Sequence, residues 1–176
     1  MTDLAQAPDF PDDAFLDVLS ANAEYARDFE DAHLTGKALK GLAIVTCMDS
    51  RIEPLSIVGM RPGDVKIIRN AGARVTDDVL RTPMLATHLL GVDRVLVMPH
   101  TDCRMATGTE AQVHAAIHAA SGVDTRSIEI RTVDDQIEAL RIDLNRIKAF
   151  PLLRVGTQVG GAIYDAHTGK LAPLRD

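Results

Sequence analysis

Short apolar runs that break off at reactive residues constrain this chain most. Gly41-Leu42-Ala43-Ile44-Val45-Thr46 runs straight into Cys47, and Arg94-Val95-Leu96-Val97-Met98 runs into Pro99-His100. A third run, Val65-Lys66-Ile67-Ile68-Arg69, leads into Asn70-Ala71-Gly72-Ala73. Runs this short, rich in β-branched residues and bounded by glycine and proline, read as buried strands. Helical periodicity separates them. It predicts a helix from Asp12 to about His33, carried by Phe15, Val18, Leu19, Ala23 and Ala26. A second spans Asp78 to Leu90, with Val79, Pro83 near its first turn, Met84, Leu85 and Leu89 on the buried face. Glu110 to Ala120 and Asp134 to Ala149 follow, the latter burying Ile137, Leu140, Leu144 and Ile147. Leu153 to Tyr164 reads as a fourth strand, and His167–Lys170 as a turn into a final strand, Leu171–Leu174. Strands alternating with helices predict an α/β fold with a mainly parallel sheet and helices on its faces. In such sheets the reactive crevice lies outside the carboxyl ends of the strands, where both Cys47 and His100 fall.

The 176 residues are read as one domain, residues 1–176, with residues 1–35 forming an N-terminal arm and helix. Pro8 and Pro11 suggest that residues 1–11 are flexible. A net charge of −6 excludes the basic stripe that nucleic acid or an anionic membrane surface requires. No apolar run reaches the ~18 residues of a membrane span. The acidic start, MTDLAQAPDFPDD, is not a secretory signal, and the expected compartment is the cytoplasm. Aromatic residues are 3% of the chain, which leaves too few for a base-stacking surface.

The only two cysteines lie in Cys47-Met48-Asp49-Ser50-Arg51 and His100-Thr101-Asp102-Cys103. Two thiolates and one imidazole are a ligand set for a tetrahedral zinc that keeps its fourth position open. Asp49 and Arg51 then form an orienting pair beside that position. The alternatives are a pair of buried thiols or a disulfide between Cys47 and Cys103. A thiol phosphatase needs five residues between its Cys and Arg, so that backbone N–H groups can wrap a phosphate; here three intervene. His114 and His118 are one helical turn apart, but a solvated face of an Ala-rich helix explains them better than a metal site. No phosphate-cradling glycine loop occurs.

C-x-D-S-R followed by H-x-x-C resembles the signature of the β-class carbonic anhydrases. Arg69-Asn70-Ala71-Gly72-Ala73 is similar to the family's R-N-A-G loop. Gly161-Ala162-Ile163-Tyr164-Asp165, with Thr168-Gly169 and Leu171, is similar to its late strand and hairpin. The likeness spans about residues 36–175, and the compact length looks like that of the smaller bacterial members. It implies four parallel strands with an added antiparallel edge strand. It also implies a homodimer, often paired into tetramers, which the N-terminal arm would suit. Carried over by motif, Cys47, His100 and Cys103 hold Zn2+, and Asp49 with Arg51 forms the catalytic pair. The implied reaction is reversible hydration of CO2 to bicarbonate and a proton, by zinc-promoted attack of hydroxide.

Two details depart from the family pattern. Arg104 follows the last ligand, where glycine is usual, and the aromatic pocket residues of plant-like members have no counterpart. Three other functions remain open on the sequence. The same site could hydrolyse CS2 or COS. Asp49 could be a permanent fourth ligand of a closed, structural zinc in an assembly or sensing module, as distinct from an enzyme in which Asp49 leaves Arg51 and takes the fourth position only at low pH. The thiols could form a redox switch.

Overall fold

The structure, a computed structural model, describes residues 10–175. The chain divides into two compact units, Met1–Leu34 and Thr35–Asp176. The expected flexible arm lies mostly outside the described residues.

In the first unit, the helix expected over Asp12–His33 is shorter. A 3-10 turn, Asp12–Phe15, leads into α1, Leu16–Arg27, and a second 3-10 turn covers Asp31–His33. The helix stops where acidic residues collect at its carboxyl end: Asp28, Glu30 and Asp31 oppose the negative end of the helix dipole. Its apolar residues, Phe15, Leu16, Val18 and Leu19, are exposed rather than buried.

The second unit is built on a five-stranded sheet in the order β2-β1-β3-β4-β5. The strands are β1 (Leu42–Cys47), β2 (Val65–Asn70), β3 (Arg94–Met98), β4 (Gln158–Tyr164) and β5 (Leu171–Pro173). The first four run parallel and β5 pairs antiparallel to β4. β1 is flanked on both sides and all six of its residues are buried, as its unbroken apolar run requires. In register, Cys47 lies opposite Asn70 and Thr46 opposite Met98, so three strand ends meet at one edge.

One face of the sheet carries Ala43, Val45, Val95 and Val97 against α3 (Asp77–Leu89) and α5 (Gln136–Lys148). The face of α3 differs from the expected one. Val79, Pro83, Ala86 and Thr87 are buried, Met84 is half-buried, and Leu85 and Leu89 are exposed. Small side chains let the helix lie close to the strands, which periodicity in large residues does not register. Pro83 stands inside α3 rather than near its first turn. In α5, Ile137 is exposed and Asp143 is buried beside Leu140, Leu144 and Ile147. The fourth strand begins at Gln158 instead of Leu153, because Gly156 takes a left-handed φ of 84° and turns the chain.

On the opposite face Leu42, Ile44 and Met98 join a second cluster, completed by Cys47 at the strand end, Ile52 and Cys103, against which Ile57 of the short helix α2 (Pro54–Ile57) packs. Both cysteines therefore sit in the smaller of the two apolar clusters. α4 (Glu110–Ser121) follows the Cys103 loop, with a Thr109–Gln112 capping box and Gly122 as its left-handed cap.

Candidate metal centre

Strand β1 delivers a buried Cys47 to the edge of the sheet, and the chain then turns through Met48–Arg51. Two guanidinium contacts fix this turn from β2. Arg69 donates from Nε to the Cys47 carbonyl at 2.9 Å and from Nη2 to the Asp49 carbonyl at 2.7 Å. The Met48 N–H donates to the Asn70 carbonyl at 2.9 Å. The Asn70 side chain closes its own loop by pairing with both backbone groups of Arg74. Gly72 is required there. Its φ is 78°, and a Cβ would stand 3.2 Å from Met105 Cβ. The R-N-A-G sequence is thus a scaffold for the Cys47 turn.

Strand β3 delivers His100, which is fully buried. Its Nδ1 donates to the Thr101 carbonyl at 2.8 Å, and its own carbonyl accepts from Gln136 Nε2 at 2.5 Å. Thr101 is held by β4 and its hairpin: its N–H donates to the Tyr164 carbonyl at 2.9 Å, and its Oγ1 accepts from the Ala166 N–H at 3.1 Å. Three residues after His100, Cys103 returns to the same spot and is buried.

The ligating atoms of Cys47, His100 and Cys103 all lie within 4.8 Å of one another, and no other such cluster occurs among the described residues. The two sulfurs are 3.9 Å apart and both thiols are free, so the disulfide alternative is not the arrangement present. Tetrahedral zinc with bonds of about 2.3 Å would hold two sulfurs about 3.8 Å apart. With Nδ1 committed to a carbonyl, the lone pair of His100 falls on Nε2. That Nε2 is buried and has no hydrogen-bond partner. A buried polar atom without a partner is costly, and a cation would satisfy it. The donor set and its spacing fit a four-coordinate metal with two soft sulfurs. Burial pushes the Cys103 thiol up to about 11, which a bound cation would reverse.

Asp49 borders this cluster. Its Oδ2 is 3.8 Å from His100 Nε2, yet the carboxylate is turned toward Arg51. Arg51 donates from Nε to Oδ1 at 3.0 Å and from Nη2 to Oδ2 at 2.8 Å, and its backbone N–H reaches Oδ1 at 3.0 Å. These bonds hold the carboxyl of Asp49 far below the usual carboxylate range. Arg51 also contacts a residue that the motif reading passed over. Asp102 accepts from Nη1 on its carboxylate at 2.8 Å and from Nη2 on its backbone carbonyl at 3.1 Å.

The remaining candidates stand apart. His114 pairs with the Thr125 hydroxyl at 2.8 Å and, with His118, lines an open cleft beside Asp124 and Arg126. Arg104 is exposed and donates to the Thr107 hydroxyl one turn further on. Sequence reasoning also missed a buried pair behind the centre: Arg74 Nε donates to Asp143 Oδ2 at 2.7 Å. Only an acidic residue on the apolar face of α5 could have signalled it.

Known proteins resemble this chain in sequence and fold. The sequence profile of the family described as carbonic anhydrase matches residues 42–143. β-Carbonic anhydrase 1 of Mycobacterium tuberculosis is 37% identical over 156 residues, covering 88% of this chain and 94% of that protein. The crystal structure of carbonic anhydrase from Streptococcus mutans superposes with a TM-score of 0.86 at 36% identity, covering 92% of this chain and 97% of that one. A carbon disulfide hydrolase of Saccharolobus solfataricus is 39% identical, but over 101 residues, 57% of this chain and 48% of that protein.

Proposed function

This chain belongs to the β-carbonic anhydrase family, and on that premise we propose that it catalyses the reversible hydration of CO2 to bicarbonate and a proton at a zinc ion held by Cys47, His100 and Cys103. One observation carries the reading. The buried, unpartnered Nε2 of His100 faces two free thiols 3.9 Å apart, while Arg51 holds the neighbouring Asp49 carboxylate in a two-pronged grip. When bound, zinc in such a site supplies a Lewis acid that brings the pKa of water toward neutrality.

The chain's own residues do the rest. Asp49, kept ionised, accepts a hydrogen bond from the reacting water and so orients a lone pair of that oxygen toward CO2. Arg51 keeps Asp49 an acceptor by making its protonation costly. Thr101 fixes the imidazole through Nδ1, so that Nε2 stays available for the ion. The pairing of Asp49 with Arg51 supports an open fourth position over a permanently closed structural site.

The exposed apolar residues of α1 support a homodimer, with a tetramer as the larger assembly. No helix among the described residues is long and apolar enough to cross a membrane, and the compartment proposed is the cytoplasm.

A second reading, hydrolysis of CS2 or COS, draws on the local identity to a carbon disulfide hydrolase. The longer, nearly end-to-end match to a carbonic anhydrase favours CO2. Stopped-flow hydration of CO2 by the zinc-loaded protein, scanned from about pH 6.5 to 9, tests the proposal. Fast hydration that rises with pH is expected. Stoichiometric zinc without hydration, but with turnover of CS2 or COS, would replace it with the second reading.

A further inference from the structure

The grip on Asp49 depends on a guanidinium that is itself exposed. The Arg51 side chain is 45% exposed, and an exposed pair two residues apart in sequence is normally weak and mobile. Here it is not left to itself. Of the five N–H bonds of the guanidinium, Nε–H and one on Nη2 go to the Asp49 carboxylate. The other on Nη2 goes to the Asp102 carbonyl, and one on Nη1 goes to the Asp102 carboxylate. Arg51 is therefore clamped between two aspartates in a planar fork geometry that leaves it little rotational freedom.

Asp102 occupies an unusual backbone position. Its φ is 55°, in the left-handed region that glycine enters at least cost. Glycine there would retain the carbonyl contact but lose the carboxylate contact. Asp102 also lies between His100 and Cys103, so the loop that presents two of the three candidate ligands presents the carboxylate that fixes Arg51. Asp49 has a short alternative path, because its Oδ2 is already 3.8 Å from His100 Nε2.

We propose that Asp102 is a positioning residue: by clamping Arg51 from the metal-ligand loop, it holds Asp49 in the Arg51-paired orientation and out of the metal's fourth position. The proposal rests on the function inferred above for its catalytic consequence, but not for its geometric one. Asp102 supplies none of the clustered ligand atoms. It acts through Arg51.

The test uses Asp102→Gly, whose backbone suits the left-handed φ, and Asp102→Asn, which retains the shape and removes the charge. In protein loaded with cobalt(II) in place of zinc, visible absorption reports on the coordination of the ion. Asp102→Gly should shift these bands, and the shift should vanish when Asp49→Asn is added, because no carboxylate is then left to move in. In zinc-loaded protein, kcat/KM for CO2 should fall about tenfold in Asp102→Gly and less in Asp102→Asn. The loss should disappear in an Arg51→Ala background, which a merely structural role for Asp102 would not produce. An unchanged cobalt spectrum in Asp102→Gly would overturn the proposal. So would a spectral shift that survives Asp49→Asn, since Asp102 would then act on the ligands directly. If the parent protein fails to hydrate CO2, the functional reading falls while the cobalt comparison still decides the role of Asp102.

Discussion

His100 Nδ1 donates to the carbonyl of Thr101, the next residue in the chain, at 2.8 Å. This short bond spends one ring nitrogen on the backbone and leaves the other, Nε2, buried beside two sulfurs with no partner. A metal ion is the simplest group that satisfies all three atoms. Replacing His100 with Ala should therefore weaken zinc binding by more than about a hundredfold. Metal content after gel filtration against a competing chelator checks this; full occupancy in the variant would show that the imidazole is not a ligand.

If zinc is bound as proposed, its removal should also loosen the fold, because Cys47, His100 and Cys103 would tie the end of β1 to the loop after β3. A ligand present at about a hundred times its Kd stabilises by about 2.7 kcal/mol, or several degrees in Tm for a chain of this size. Thermal unfolding before and after chelation measures it. Equal melting temperatures would mean that the cluster does not hold a metal tightly.

Behind the centre, Arg74 and Asp143 form an ion pair whose side chains are 13% and 4% exposed. Removing one partner leaves an uncompensated buried charge, so Asp143→Ala should cost about 3–5 kcal/mol. The double change Arg74→Met with Asp143→Leu should cost much less, because it removes both charges and restores apolar volume. Denaturant unfolding of both variants gives the comparison. A single variant as stable as the parent would show that the pair carries no structural energy.

How much of this was legible in the sequence follows from where the physics is local. The strands around Cys47 and His100 could be read because a buried parallel strand is an unbroken apolar run, and β3 begins and ends where that run does. The Cys47, His100 and Cys103 cluster was legible because few residue types bind soft metals and each sits at a strand end. Asp102 was not, because its role depends on a positive φ and on Arg51, far away in the chain. The buried side of α3 was misread where small residues, Ala86 and Thr87, took the contact expected of Leu85 and Leu89. Ile137 was assigned to the core, while Asp143 was buried because Arg74 neutralises it, a long-range pairing that periodicity cannot show.

Acid should destabilise the protein in a defined window. Asp102 and Asp124 have carboxyls held low by hydrogen bonds from Arg51 and Arg126, and Asp165 by the backbone N–H of His167 and then by Thr168. A carboxyl with a lower pKa folded than unfolded adds stability above its unfolded value, near 3.9, and loses it as pH falls through the folded value. Melting temperature should thus change little between about pH 7 and 5 on account of these groups, and fall below about pH 4. Asp124→Asn should make the low-pH decline shallower, and a decline unaltered by that change would remove Asp124 from the account.

Two adjacent glycines of β4 make opposite demands. A Cβ on Gly161 would stand 2.9 Å from Leu144 Cδ1 and 3.0 Å from Leu140 Cδ1, whereas a Cβ on Gly160 meets nothing within 4 Å. Successive strand residues face opposite sides of the sheet, so Gly161 is where α5 lies closest to β4. Gly161→Ala must push α5 away or force its leucines off their rotamers, which should cost about 1–3 kcal/mol. Gly160→Ala should stay within about 0.5 kcal/mol in the single chain. Chemical denaturation of the two variants side by side separates the effects. An undisturbed Gly161→Ala would mean that the helix can retreat freely, and a costly Gly160→Ala would mean that a second chain covers that face of the sheet.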